Sequence, residues 1–181
     1  MKKNKAIFLD RDGVINEPVI KDGKPYPPNN LNELALIRGV EEGLKLLKDE
    51  GFLLFIITNQ PDVARGKTQK SAVDEIHTYL KVHLHIDEVF CCFHDDEDNC
   101  NCRKPKPGMI EAATEKWNID LKQSFLVGDR WKDIEAGKSA GVKTILIDYN
   151  YQEKKVAADC STTNFEGVTT YILTKINHDN S

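Results

Sequence analysis

No stretch of this sequence stays apolar for long. The longest such run, Gly51 to Thr58, has the length of a strand and falls far short of the ~20 residues a membrane-spanning helix needs. Excess positive charge is missing too. Against 29 acidic residues stand 25 basic ones, for a net charge of −4, so no global basic field exists to hold nucleic acid. Nor is there a basic groove or aromatic series suited to single strands. The start, Met1-Lys2-Lys3-Asn4-Lys5, is basic, but only four apolar residues precede Asp10, where a secretory signal needs roughly 7–15. Internal repeats and low-complexity segments are absent. These gaps predict a cytoplasmic protein with no membrane or nucleic-acid partner.

What remains is an ordinary globular composition, 40% hydrophobic and 30% charged over 181 residues. That suits one domain around one core. We expect the core at about 6–148 and a C-terminal strand/helix extension at 149–181. Short apolar runs alternate with segments of helical period. Strands are expected at Ala6 to Leu9, Leu53 to Thr58, Glu88 to Phe93, Phe125 to Val127 and Thr144 to Ile147. Helices are expected at Val40 to Lys48, Ser71 to Leu84, Met109 to Trp117, Asp133 to Ala140 and Phe165 to Ile176. Val14 to Arg38 reads as an irregular loop with one turn at the site mouth, and the last few residues as frayed. The alternation predicts an α/β fold, a parallel sheet with helices on both faces, because parallel neighbours require crossovers. Such folds bind ligands at the carboxyl ends of their strands.

The chemistry-bearing residues fall at those ends. Asp10-Arg11-Asp12-Gly13 follows the first strand. Two acids two residues apart can share one Mg²⁺, one through its side chain and the other through its backbone carbonyl, since Mg²⁺ takes hard oxygen ligands. Gly13 allows a sharp turn that brings N–H groups toward a phosphate. Thr58-Asn59-Gln60 offers a hydroxyl and donors for phosphoryl oxygens, and Lys104 supplies a cation. Gly128-Asp129-Arg130, with Asp133 four residues past Asp129, supplies a further metal-binding acid and its neighbour. Each fragment alone could be a polar turn, a helix cap or a solvated charge; their order at successive strand ends argues for a site.

Together these motifs resemble the haloacid dehalogenase superfamily, and the likeness spans Ala6 to Asp148. It implies a phosphatase with no large cap domain. Asp10 would attack phosphorus and carry an aspartyl-phosphate; Asp12 would protonate the leaving oxygen and then activate water. Asp10, Asp12 and Asp129 would hold Mg²⁺ with Asp133 behind them, and Thr58 and Lys104 would complete the catalytic set. Because several carboxylates share the site and Asp12 starts protonated, its pKa is expected to be raised. A phosphate-accepting domain that does not hydrolyse would use similar Asp, Thr and Lys residues, but it has no need of an acid at position 12.

Four of the five cysteines, Cys91, Cys92, Cys100 and Cys102, lie within twelve residues. In a reducing compartment such crowding indicates metal rather than disulfides. Cys92, His94, Cys100 and Cys102 form C-x-H-x5-C-x-C, a donor set for closed tetrahedral Zn²⁺. Strand alternation points Cys91 away from Cys92 and His94, so Cys91 reads as a small buried residue and Cys160 as structural or incidental. Arg103 and Lys104 follow the last zinc ligand, so a fixed loop fixes both cations.

Within the superfamily the chain is similar to the branch of histidinol-phosphate and heptose bisphosphate phosphatases, through Ala64-Arg65-Gly66 and Arg103-Lys104-Pro105-Lys106-Pro107-Gly108-Met109. That likeness implies a small phosphorylated sugar, D-glycero-D-manno-heptose 1,7-bisphosphate cut at the 7-phosphate, with histidinol phosphate as the alternative. Asn59, Gln60, Arg65, Arg103 and Arg130 would contact substrate. The short zinc spacing, the Glu17 to Asn29 segment and Pro61-Asp62 depart from the usual heptose pattern. The short, open site suggests a monomer.

Overall fold

The computed structural model of this protein describes residues 3–22 and 24–179. Gly23 of the irregular segment and the expected frayed end at 180–181 lie outside them. The described elements run β1 (Ala6–Leu9), β2 (Val19–Lys21), β3 (Lys24–Tyr26), α1 (Val40–Asp49), β4 (Leu53–Asn59), α2 (Lys70–His83) and β5 (Glu88–Cys92). Then come α3 (Gly108–Trp117), β6 (Phe125–Gly128), α4 (Trp131–Ala140), β7 (Lys143–Ile147), β8 (Cys160–Thr162) and α5 (Phe165–Asp179).

Six strands form one sheet in the order β5-β4-β1-β6-β7-β8, every neighbouring pair parallel. The chain enters at β1 in the middle, builds outward through β4 and β5, then crosses to β6 on the other side of β1. That reversal leaves a crevice at the carboxyl ends of β1 and its neighbours. Register brings the ends level: Leu9 pairs with Ile56 and with Val127. Asp10, Thr58 and Asp129 therefore emerge side by side.

Strand alternation divides the core into two layers. Ile7 and Leu9 face one side with Leu54, Ile56 and Val127, against Leu44 and Leu47 of α1, Ile76 and Leu80 of α2, and Phe165, Val168 and Ile172 of α5. Ala6 and Phe8 face the other with Phe55, Ile57 and Leu126, against Met109, Ile110 and Ala113 of α3 and Ala136 of α4. Each buried Val, Leu, Ile, Met or Phe among these contributes about 1.5–3 kcal/mol. The site sits on a rigid floor.

Val14 to Arg38 differs from expectation. It holds an antiparallel β2–β3 hairpin and a 3-10 turn at Leu31–Glu33. Its strands are three residues long, Ile20 is exposed, and Pro25 stands within β3, so neither alternation nor propensity marks them. In the extension, β8 pairs with β7, and α5 runs past Ile176 to Asp179. No helix among the described residues is long and apolar enough to cross a membrane.

Candidate active site

Lys104 is the pivot of the site. Its ammonium is 3% exposed and lies 2.9 Å from Asp10 Oδ1 and 2.6 Å from Asp133 Oδ1. It also donates to the carbonyl of Ile57 at 2.8 Å. An ammonium has three protons, and all three are engaged. Burial disfavours the charge, but Asp10 and Asp133 outweigh it and hold the Lys104 pKa above its usual value. Asn59, expected to touch substrate, lines the pocket and also clasps the Lys104 backbone, donating to its carbonyl and accepting from its N–H, each at 3.1 Å.

Three acids gather beside it. Asp10, Asp129 and Asp133 each bring an oxygen within 4.8 Å of the others. Burial, with Asp133 and Asp12 adding and Lys104 opposing, pushes the Asp10 carboxyl up to about 6. Burial and the proximity of Asp133 and Asp10 push the Asp129 carboxyl well above its ordinary value. Asp133 is the third residue of α4 and accepts from the Arg130 N–H at 3.1 Å. It therefore caps the helix and pairs with Lys104 at once, which is why α4 begins at Trp131 rather than at Asp133.

Asp12 departs from expectation. Burial would raise its pKa, but the adjacent Arg11 guanidinium and donors from Asn16 and Gln60 hold it below the usual value. Arg11 Nη2 reaches both Asp12 oxygens, at 3.1 and 3.0 Å, and Arg11 Nε reaches Oδ1 at 3.2 Å. Asn16 donates at 3.0 Å and Gln60 at 2.8 Å. Shared carboxylates do not set this group; the cation behind it does. The Asp12 carboxylate lies outside the acid cluster that the structure assembles, where Asp133 stands instead. The Gln60 amide also donates to Thr58 Oγ1 at 2.9 Å, which leaves the Thr58 hydroxyl proton free for a ligand.

The pocket above has a volume of about 550 Å³, within the range of small-ligand sites. The hairpin supplies Pro25 and Tyr26 to its wall. Six basic side chains line it (Arg65, Lys67, Arg103, Lys104, Arg130, Lys132), as do six acids (Asp10, Asp12, Asp62, Asp129, Asp133, Glu153). The arginines expected at substrate are already paired. Arg65 holds Asp95 through two bonds of 2.5 and 2.6 Å. Arg103 donates to Asp96 at 2.7 Å and to the His94 carbonyl at 3.1 Å. Arg130 donates to Glu153 at 3.1 Å and lies 5.0 Å from the Tyr151 ring centroid.

The zinc-type cluster adjoins this wall. Cys92, His94, Cys100 and Cys102 place their donor atoms together. The Sγ–Sγ distances are 3.6, 3.2 and 3.4 Å, and His94 Nδ1 lies 3.6 and 3.4 Å from Cys92 and Cys102. A tetrahedron with Zn–S bonds of ~2.3 Å has edges of roughly 3.8 Å, so the four donors fit that ion with a small expansion. Cys91 is only partly buried, and burial still pushes its thiol up to about 12.

Comparison with known proteins adds the decisive observation: residues 15–147 match the family described as haloacid dehalogenase-like hydrolase. The chain belongs to the haloacid dehalogenase-like hydrolases. Among its relatives is the D-glycero-beta-D-manno-heptose-1,7-bisphosphate 7-phosphatase of Haemophilus ducreyi, 37% identical over 79% of this chain and 82% of that one. The D-glycero-alpha-D-manno-heptose-1,7-bisphosphate 7-phosphatase of Photorhabdus laumondii is 39% identical over 80% and 82%. A crystal structure of the D,D-heptose 1,7-bisphosphate phosphatase from B. bronchiseptica, complexed with magnesium and phosphate, superposes with a TM-score of 0.81. It is 26% identical and covers 94% of this chain and 99% of that chain.

The acid cluster of this haloacid dehalogenase-like hydrolase suits Mg²⁺. Asp129 Oδ1 is buried with no hydrogen-bond partner, and such an atom is costly unless something binds it. The donors are all oxygen, as a hard cation prefers. Residues that sequence reasoning missed stand behind Asp12 and at the start of α4. Arg11 is wholly buried, Asn16 and His77 are buried, and Glu153 accepts from the Trp131 N–H at 3.1 Å. A charged residue between Asp10 and Asp12 was the available signal for Arg11; His77, on a distant helix, gave none.

Proposed function

We propose that the chain is a Mg²⁺-dependent phosphatase that removes the 7-phosphate of D-glycero-D-manno-heptose 1,7-bisphosphate through an aspartyl-phosphate on Asp10. One observation carries the reading. Asp10, Lys104, Asp129 and Asp133 converge on one pocket floor, in a chain more than a third identical to two enzymes named for that activity.

Each residue then has work that its surroundings allow. An Asp10 carboxylate oxygen attacks phosphorus. Lys104 holds the Asp10 carboxylate in place and offsets charge without touching substrate. Thr58 donates its free hydroxyl proton to a phosphoryl oxygen. Asp129 and Asp10, with the Asp12 backbone carbonyl, would hold Mg²⁺, which when bound neutralises charge on the phosphoryl group. Asp12 starts ionised. An arriving phosphate dianion raises its pKa, so Asp12 takes up a proton as substrate binds and gives it to the leaving sugar oxygen. The ionised form that Arg11 favours then takes a proton from the water that hydrolyses the aspartyl-phosphate. Cys92, His94, Cys100 and Cys102 would hold Zn²⁺, which when bound would fix the segment that carries Arg103 and Lys104.

Cations beyond those needed for one phosphate, Arg65, Arg103 and Arg130, support a bisphosphate. Substrate contact at Arg103 and Arg65 requires exchange with Asp96 and Asp95. We read residues 1–181 as one domain, since β8 and α5 complete the same sheet and core. We further propose a cytoplasmic monomer, as free thiols suit a reducing compartment and one chain builds the pocket.

Phosphate release with Mg²⁺ should be measured from both anomers of the heptose bisphosphate, with histidinol phosphate and fructose 1,6-bisphosphate alongside. A kcat/KM for one heptose anomer ~100-fold above the rest, about 2.7 kcal/mol of discrimination, is expected. Equal weak rates on all of them discard the heptose.

A further inference from the structure

Arg11 is 0% exposed, and such a buried cation is costly unless it is paired and hydrogen-bonded. Nε and Nη2 go to Asp12. Nη1 points the other way and meets His77 Nε2 at 3.2 Å. His77 lies on the buried face of α2 with Val73, Ile76 and Leu80. For Nε2 to accept from a guanidinium, the imidazole must be neutral with its proton on Nδ1. Burial first, and Arg11 second, lower its pKa to about 4. We propose that His77 is a positioning residue for the acid–base step: as a neutral acceptor behind Arg11, it fixes the guanidinium fork that holds Asp12 at the pocket wall.

The residue type matters. A carboxylate at position 77 would draw the guanidinium charge away from Asp12. An apolar residue would leave Nη1 buried and unpaired, and Arg11 would tilt to satisfy it. A neutral imidazole satisfies Nη1 and leaves the charge for Asp12. The helix that carries it packs under the sheet, so the orientation of Asp12 is anchored in the core rather than in the pocket loop.

The inference rests on the reading of Asp12 as acid and base, and the test separates the two. His77→Leu, His77→Gln and His77→Asn are assayed alone, and His77→Leu also in an Asp12→Asn background. General acid–base catalysis is worth 10²–10⁴-fold, so loss of its alignment is expected to lower kcat about tenfold in His77→Leu, with KM nearly unchanged. His77→Asn, too short to reach Arg11, falls likewise; His77→Gln, which keeps an acceptor in reach, recovers most of the rate. Because the effect passes through Asp12, His77→Leu changes kcat in the Asp12→Asn background by less than about twofold. Equal losses in both backgrounds, or a wild-type rate for His77→Leu, overturn the role of His77 alone. Full activity of Asp12→Asn overturns the reading of Asp12 and the role of His77 with it.

Discussion

A Cβ atom at Gly13 would lie 2.2 Å from Asp129 Oδ2. The chain turns there with φ of +86°, a conformation that costs non-glycine residues of order 1–3 kcal/mol. Closeness of these two residues is what brings the loop after β1 down onto the acid at the end of β6. Gly13→Ala is expected to displace Asp129 and abolish Mg²⁺-dependent turnover while most of the fold survives. Activity and unfolding midpoint measured together check this; a variant with full activity contradicts it.

Protons and Mg²⁺ should compete for the acid cluster. Asp10 is raised to about 6 and Asp129 is raised too. In the metal-free chain their contribution to stability is therefore full below the ordinary carboxylate value and is lost as pH rises through the folded values. Asp12, held low, runs the opposite way: its contribution is present at neutral pH and lost only as pH falls below the ordinary value. Mg²⁺ requires the ionised cluster. At 100 times its Kd, Mg²⁺ adds about 2.7 kcal/mol. The Mg²⁺-induced rise in Tm is expected to be large at pH 7.5 and to shrink toward pH 5.5. A rise independent of pH contradicts the shared-proton picture.

The Lys104 ammonium is paired with two acids, Asp10 and Asp133. Lys104→Met should lower kcat by roughly 10²–10³-fold, the scale of losing one preorganised electrostatic group, with a smaller change in KM. Leaving Asp10 and Asp133 without a cation should also cost about 3–5 kcal/mol of stability in metal-free samples. Denaturant titration with and without Mg²⁺ checks the second part, which predicts partial recovery on adding the ion. A change confined to KM contradicts it.

Zinc should act on activity through order. Cys102→Ser or chelation is expected to remove bound zinc, loosen the turn at Asp96–Asp98, and lower turnover with it, because Arg103 and Lys104 follow Cys102 directly. Metal analysis, hydrogen exchange and rate on the same samples check this. An intact rate in a verified zinc-free sample contradicts it.

The sheet was legible because its central strands are short apolar runs, each ending in a residue with chemistry: Asp10, Thr58 and Asp129. Three cysteines and a histidine between Cys92 and Cys102, at the end of β5 and in the loop after it, made the zinc-type cluster equally plain. The hairpin was not legible, since three-residue strands with an exposed face carry no pattern. The lowered pKa of Asp12 was not legible, for a physical reason. Its pKa follows Arg11, whose side chain turns inward although its backbone lies in a polar motif. Asn59, Arg65, Arg103 and Arg130 were found as polar residues near the site, but their partners, the Lys104 backbone, Asp95, Asp96 and Glu153, depend on loop geometry that spacing does not encode.

The claim that Asp10 becomes phosphorylated can be tested directly. Enzyme turning over the heptose bisphosphate is quenched in acid and treated with borohydride, which reduces an acyl-phosphate to an alcohol and releases phosphate. Peptide mapping should then find homoserine at position 10, dependent on Mg²⁺ and substrate and absent from Asp10→Asn. Reduction at another carboxylate, or at none while phosphate is being released, contradicts the account.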